Sequence, residues 1–331
     1  MFARVLARHA TTFFNIHIEY RYVVPIERMN TTQPIGNLGP STETPIMFVD
    51  ASYLSFYRFF ATKRWLQYSH PEIDLKTVVW DQCEPFMKKY EVMYMKSLQK
   101  FIRDFNVPLE NVVFVKDCPR SDIWRNALYS EYKGTREATN RSFTGGLVFK
   151  YTHMTIIPSI QDKFKCKSMR IATAEADDVI AVCVKHIRAV SPGRKIVVIT
   201  SDTDYVQLID EHTEIMTLRQ QNMRKKSTGC RELDVFIKVV RGDKSDNIPS
   251  CFSRVGDKTA TKMYQNRALL EKYFASHPNS RDQFELNQQL IDFNNIPCAL
   301  CETIRNEYEM LWTAKDNIEK ERETVIAAQK I

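Results

Sequence analysis

Ile196-Val197-Val198-Ile199-Thr200-Ser201-Asp202-Thr203-Asp204 is an unbroken β-branched run that ends in two acids. Ile46-Met47-Phe48-Val49 runs into Asp50 in the same way, and Val112-Val113-Phe114-Val115-Lys116 into Asp117. Continuous apolar runs bounded by polar residues read as parallel strands buried on both faces. In open α/β sheets the site lies outside the carboxyl ends of the strands. The three runs therefore predict an α/β fold with Asp50, Asp117, Asp202 and Asp204 along one sheet edge. A fourth cluster, Glu175-Ala176-Asp177-Asp178, opens the helical run Val179-Ile180-Ala181-Val182-Cys183-Val184. Within a helix Glu175 and Asp178 share a face and Asp177 points elsewhere, unless the cluster sits at the helix start. Acids there also favour the helix dipole. Two carboxylates about 4 Å apart repel by roughly 4 kcal/mol at an effective dielectric near 20, so protons or cations must fill such a gathering.

Despite these acids the 331-residue chain carries a formal charge of +7. A basic protein with a concentrated acidic site suits an anionic substrate, with nucleic acid first, although a merely basic surface fits the charge alone equally well. No apolar run reaches membrane-spanning length, which predicts no membrane partner. Of eight cysteines, only Cys298 and Cys301 form a C-x-x-C. Without a second pair a zinc site is not indicated, and reduced thiols in an intracellular protein are expected.

Residues 1–44 stand apart. Arg4 and Arg8 lie among Phe2, Val5, Leu6, Phe13 and Phe14, and no acid precedes Glu19. This reads either as an organelle transit peptide or as a poorly ordered extension. The Thr/Pro/Gly/Ser-rich stretch 31–44 reads as a linker, with the folded part beginning near Pro45. Tyr53 to Phe105 has helical periodicity and no glycine. From Trp124 to Arg136 bases and aromatics interleave, and residues 137–170 stay basic, with Phe143, Phe149, Tyr151 and Phe164 among the bases. Bases can neutralise phosphates and aromatics can stack on nucleobases; the plainer reading is a helix pair whose aromatics face the core. Gly242-Asp243-Lys244-Ser245-Asp246-Asn247-Ile248-Pro249 and Val255-Gly256-Asp257-Lys258-Thr259-Ala260 read as turns, the second opening a helix whose N-terminus can hold phosphate.

In order, these motifs resemble the 5′-to-3′ exonuclease and flap endonuclease superfamily over roughly residues 46–305. Phe48-Val49-Asp50, Val115-Lys116-Asp117, Tyr132-Lys133-Gly134-Thr135-Arg136, Glu175-Ala176-Asp177-Asp178, Ser201-Asp202-Thr203-Asp204-Tyr205 and the 242–249 stretch carry the resemblance. The segment 287–297 is most similar to the phage T4-type ribonuclease H branch. The resemblance implies a PIN-like (resolvase-like) three-layer domain with a mostly parallel central sheet over 45–240, including a basic arch over about 125–170. It implies a helix-three-turn-helix duplex-binding region over 241–310, and we expect a helical tail over 311–331. It implies a structure-specific 5′ nuclease with two Mg²⁺ ions, for which Mn²⁺ substitutes, and a K⁺ ion at the helix-three-turn-helix.

By motif position Asp50, Asp117, Glu175, Asp177, Asp178, Asp202, Asp204, Asp243 and Asp246 form the metal-binding set. Glu175, Asp177 and Asp202 are assigned nearest one ion, and Asp204, Asp243 and Asp246 to the second. Lys133 and Arg136 match basic residues of the family's arch; Lys133 is expected on the scissile phosphate, with Arg125 helping to steer it. Arg254, Gly256, Lys258 and Lys262 are the expected DNA contacts. The sequence departs from the family where Arg254-Val255-Gly256 replaces Gly-x-Gly and Pro249-Ser250 replaces Pro-Gly. Implied partners are DNA with a 5′ flap or nick, RNA–DNA hybrid, and replication proteins such as a sliding clamp or single-strand binding protein, with the chain a monomer. Two other classes stay open: a catalytically inactive DNA-structure-binding protein, and a phosphatase-like domain, which would leave the basic segment and the residues after 242 without use.

Overall fold

The computed structural model describes residues 44–136 and 143–328, with side chains described as far as residue 313. Residues 1–43 of the expected N-terminal extension and the middle of the basic arch, residues 137–142, lie outside the described residues. Five strands form one parallel sheet: β1 (Ile46–Asp50), β2 (Val112–Val115), β3 (Lys167–Met169), β4 (Ile196–Ile199) and β5 (Thr213–Met216), in the order β3-β2-β1-β4-β5. The three apolar runs are its three central strands.

Alternate strand residues enter two separate cores. Ile46, Phe48, Val113, Val115, Ile196 and Val198 face α5 (Ala176–Val190) and the start of α10 (Cys298–Ala328). Met47, Val49, Val112, Phe114, Val197 and Ile199 face α1 (Ala51–Ser69), α2 (Glu84–Asp104), α3 (Gly146–Tyr151) and α4 (Ile157–Phe164). Helices thus cover both faces, giving the three layers that doubly buried strands require. Truncating a strand aromatic such as Phe48 or Phe114 to alanine costs about 3–5 kcal/mol by the usual range for core phenylalanines.

The segment 53–105 is two helices, separated by a loop from His70 to Cys83. α1 ends where Pro71 follows His70, and α2 restarts with Pro85 in its first turn, where its missing N–H costs nothing. α2 then buries Phe86, Tyr90, Tyr94, Leu98 and Phe101 at helical spacing.

Between β5 and α10 lies a helical region: α6 (Arg231–Arg241), α7 (Asp257–Gln265), α8 (Arg267–Ser276) and α9 (Ser280–Ile291). α6 stops at Gly242, whose φ is +65°; a Cβ there would sit 2.3 Å from the Ile248 carbonyl oxygen. Only glycine fits a turn so tight, and the turn delivers Asp243 and Asp246. No described helix is long and apolar enough to cross a membrane.

Candidate metal centre

Asp50 ends β1 and also caps α1. Its carboxylate accepts hydrogen bonds from the Tyr53 amide (2.9 Å) and the Thr200 hydroxyl (3.2 Å). Asp117 follows β2 and accepts from the Ser52 hydroxyl (2.5 Å) and the Ala176 amide (2.8 Å), which ties it to the starts of α1 and α5. Asp202 follows β4 and accepts from the Asp204 amide at 3.0 Å. Three neighbouring strands thus end in three acids. Burial, then the charges of Asp117 and Asp202, push the Asp50 carboxyl up to about 7. None of these three carboxylates forms an ion pair among the described residues.

The second group is Glu175, Asp177 and Asp178, whose ligand atoms lie within 4.8 Å of one another. The cluster sits at the start of α5 as a capping box, with the Asp178 carboxylate accepting the Glu175 amide at 3.1 Å. That placement lets Asp177 join the other two despite its position on the helix wheel. Burial, then Asp178 and Glu175, push the Asp177 carboxyl well above the ordinary aspartate range. Burial works the same way on Glu175, but Lys133 and Arg125 outweigh it and hold Glu175 below the usual range.

Asp204, Asp243 and Asp246 form the third group, again within 4.8 Å. Lys238, in the last turn of α6, pairs with Asp204 and sits 2.8 Å from Asp243. Against the opposing effect of burial, the Lys238 charge lowers the Asp243 carboxyl to about 2. Tyr132 joins the second and third groups: its hydroxyl donates to Glu175 at 2.9 Å and contacts Asp246 at 3.2 Å. Lys133 pairs with Glu175 and lies 3.5 Å from Asp246, while Arg136 pairs with Asp246.

Arg125 does not lie where a phosphate-steering residue belongs. It is 2% exposed, and its guanidinium donates to the Leu290 carbonyl (2.8 Å), to Glu175 (3.0 Å) and twice to Asp178 (2.7 and 2.8 Å). With Trp124, whose indole N–H donates to Asp178 at 2.9 Å, it neutralises the fully buried Asp178. The surrounding acids, Asp178 foremost, raise the Arg125 basicity against the effect of burial. Asp178 is accordingly occupied from inside the protein.

The aromatics of the basic segment also turn inward. Phe143 and Phe149 pack against Phe56 and Phe59, with ring centroids 4.5–6.2 Å apart, and Tyr151 and Phe164 border the same core. The plainer sequence reading holds for them: apolar burial outweighs any stacking role. Arg254, Gly256, Lys258 and Lys262 are all exposed, beside or on α7. Arg254 takes φ +58°, so the arginine at the expected glycine position keeps a left-handed backbone.

Sequence reasoning did not find Ser52, Thr200, Tyr132 or Lys238 as partners of the acids. Tyr132 carried a signal, since it lies inside the Tyr-Lys-Gly-Thr-Arg motif. Lys238 carried none, because it reads as an ordinary lysine on an amphipathic helix.

The six donors of the two clusters and the three strand-end acids are all carboxylates, with no cysteine or histidine among them, which suits hard oxygen-seeking divalent ions. The Tyr205 hydroxyl is buried without a hydrogen-bond partner among the described residues, and the charges of Asp50, Asp177, Asp202 and Asp117 help burial to raise its pKa. A raised Asp50, a raised Asp177 and an orphaned hydroxyl mark a pocket short of positive charge.

The model for the 5′-3′ exonuclease N-terminal resolvase-like domain matches residues 45–238. The thermostable DNA polymerase I of Thermus thermophilus is 26% identical over 234 residues, covering 69% of this chain and 25% of the relative. Ribonuclease H of Enterobacteria phage T4 is 29% identical over 222 residues, covering 60% of this chain and 69% of the relative. The chain thus spans about a quarter of the length of the DNA polymerase I relatives it matches. Among solved structures, bacteriophage T5 flap endonuclease in a pseudo-enzyme–product complex with DNA and metal ions aligns with a TM-score of 0.59 at 15% identity, covering 81% of this chain and 99% of that chain. Zinc-bound T5 5′-exonuclease aligns at 0.57 and 15%, with the same coverage. At such identities these two show likeness of fold.

Proposed function

The chain belongs to the family of the 5′-3′ exonuclease N-terminal resolvase-like domain, and from that membership we propose that it is a divalent-metal-dependent 5′ nuclease. It hydrolyses phosphodiester bonds at 5′ flaps, nicks or RNA primers in DNA. The observation that carries this reading is the group Asp50, Asp117 and Asp202: three strand-end carboxylates with no ion pair among the described residues, one of them raised to about 7. The 29% identity to a phage ribonuclease H supports the RNA-primer part.

Two Mg²⁺ ions, or Mn²⁺ in their place, are the proposed cofactors. Glu175, Asp177 and Asp202 hold the first, with Asp50 and Asp117 behind water. Asp204, Asp243 and Asp246 hold the second. What the ions supply when bound is activation of water and neutralisation of charge developing on the phosphodiester. Lys133 and Arg136, released from Glu175 and Asp246, turn to the scissile phosphate and stabilise that charge. Arg125 is a positioning residue: it fixes Asp178 and, through it, the start of α5. Residues 241–310 grip the duplex through Lys258, Lys262 and the open backbone at Gly256, where an added Cβ would meet nothing within 4 Å among the described residues. Arg254 contacts phosphate directly, in place of potassium.

Incubation with a labelled 5′-flap duplex and Mg²⁺ tests the reading. Cleavage that disappears in the Asp202→Ala/Asp204→Ala double variant is expected; no cleavage by the parent, or equal cleavage by both, contradicts it.

One observation favours the second reading, a DNA-structure-binding protein without turnover. Lys238 already supplies a cation to Asp204 and Asp243. Flap binding with no metal-dependent cleavage would establish that reading.

A further inference from the structure

The acids at the ends of β1, β2 and β4 have a counterpart of opposite sign on the same sheet edge. Lys116 is the first residue after β2 and Arg170 the first after β3. These strands pair in parallel with Val115 opposite Met169, so the two cations leave the sheet side by side. The Lys116 amide donates to the Met169 carbonyl at 2.9 Å, and the Arg170 guanidinium to the Asp117 carbonyl at 3.2 Å. His153 lies within range of the charges of both. It stands in the single π-turn Thr152–Ile156 between α3 and α4, a distortion that often marks a functional position. The Lys116 ammonium lies 3.5 Å from the His153 carbonyl.

None of the three side chains has an acidic ion-pair partner among the described residues, and the imidazole Nδ1 is buried with no hydrogen-bond partner. The charge of Asp117 reaches His153, but its carboxylate accepts from Ser52 and Ala176 and forms no ion pair with the three among the described residues. Packing like charges together without a counter-charge is unfavourable unless an anion completes the set.

We infer that Lys116, Arg170 and His153 form a seat for the terminal 5′-phosphate monoester of the substrate strand, beside the carboxylate centre. Two fixed cations match a group carrying close to two negative charges, and a neutral imidazole adds one N–H. An internal phosphodiester carries a single charge and leaves one cation unbalanced. The inference rests on the nuclease reading and narrows it to 5′-phosphorylated ends.

The test is fluorescence-anisotropy binding of otherwise identical 5′-flap duplexes bearing a 5′-phosphate or a 5′-hydroxyl, with Ca²⁺ in place of Mg²⁺. The parent is expected to bind the phosphorylated flap about tenfold more tightly, the scale of one added charge-assisted contact. Lys116→Gln and, separately, the surface variant Arg170→Gln should each bring that ratio close to one. Equal affinity of the parent for both flaps overturns the seat, as does a preference that both variants retain. Weakening of both flaps alike by the variants assigns the cations to internal phosphodiesters and also overturns it. Failure of the nuclease reading shows separately, as absence of Mg²⁺-dependent cleavage of either flap.

Discussion

Glu175 and Asp178 on one side, and Asp50, Asp117 and Asp202 on the other, border the same sheet edge but are balanced differently. The first pair is neutralised from within: Arg125 is bonded to both, and Lys133 to Glu175. Among the described residues the second set has only neutral donors, from Ser52, Thr200 and backbone amides. The presence of an internal cation separates the two sets. By that measure Asp178 is occupied from inside the protein, and Asp50, Asp117 and Asp202 are left to be balanced from outside.

The sharpest way to break the contrast is to remove the internal cation. Arg125→Ala strands Asp178, which is 0% exposed, and is expected to destabilise the protein by about 3–5 kcal/mol in urea unfolding. A cost under about 1 kcal/mol would mean that Asp178 is not held by Arg125.

Next is the pH dependence of the uncompensated set. Asp50 has its folded pKa raised from 3.8 to about 7. A raised carboxyl binds its proton more tightly in the folded state, so its contribution is fully present below pH 3.8 and is lost as pH climbs to about 7. Metal-free Asp50→Asn should therefore lose part of the parent's decline in melting temperature across that window. An unchanged profile would show that Asp50 ionises freely.

Lys238→Met converts a compensated group into an uncompensated one. Affinity for divalent ions at Asp204, Asp243 and Asp246 is expected to rise about tenfold by calorimetry with Ca²⁺, or 1.4 kcal/mol. No rise would mean that the ammonium does not compete with the ion.

The smallest effect lies outside both sets. Arg254→Gly relieves a left-handed backbone and should raise stability by about 0.5–1 kcal/mol, while weakening duplex binding if Arg254 contacts phosphate.

The three central strands were legible because each is a continuous apolar run buried on both faces. β3 and β5 were not. β3 is three residues beginning with Lys167 and Ser168, and β5 alternates buried with half-buried positions around Glu214, so neither presents an apolar run. Edge strands are specified by pairing more than by composition. In the site, motif order was enough to find the carboxylates. Their partners were not legible, because ion pairs such as Arg125–Asp178 and Lys238–Asp204 join residues tens of positions apart. Arg125 read as a substrate contact because a basic–aromatic segment looks alike whether it faces solvent or a buried acid.

The central claim is that Asp50, Asp117 and Asp202, which have no internal cation among the described residues, help to hold the proposed first ion, Asp202 beside Glu175 and Asp177 and the other two through water. Calorimetric titration of the parent and of Asp50→Asn/Asp202→Asn with Mg²⁺ at pH 8 tests it most directly. The account predicts saturable binding to the parent and at least tenfold weaker binding to the double variant. Equal affinity in the two proteins would contradict it.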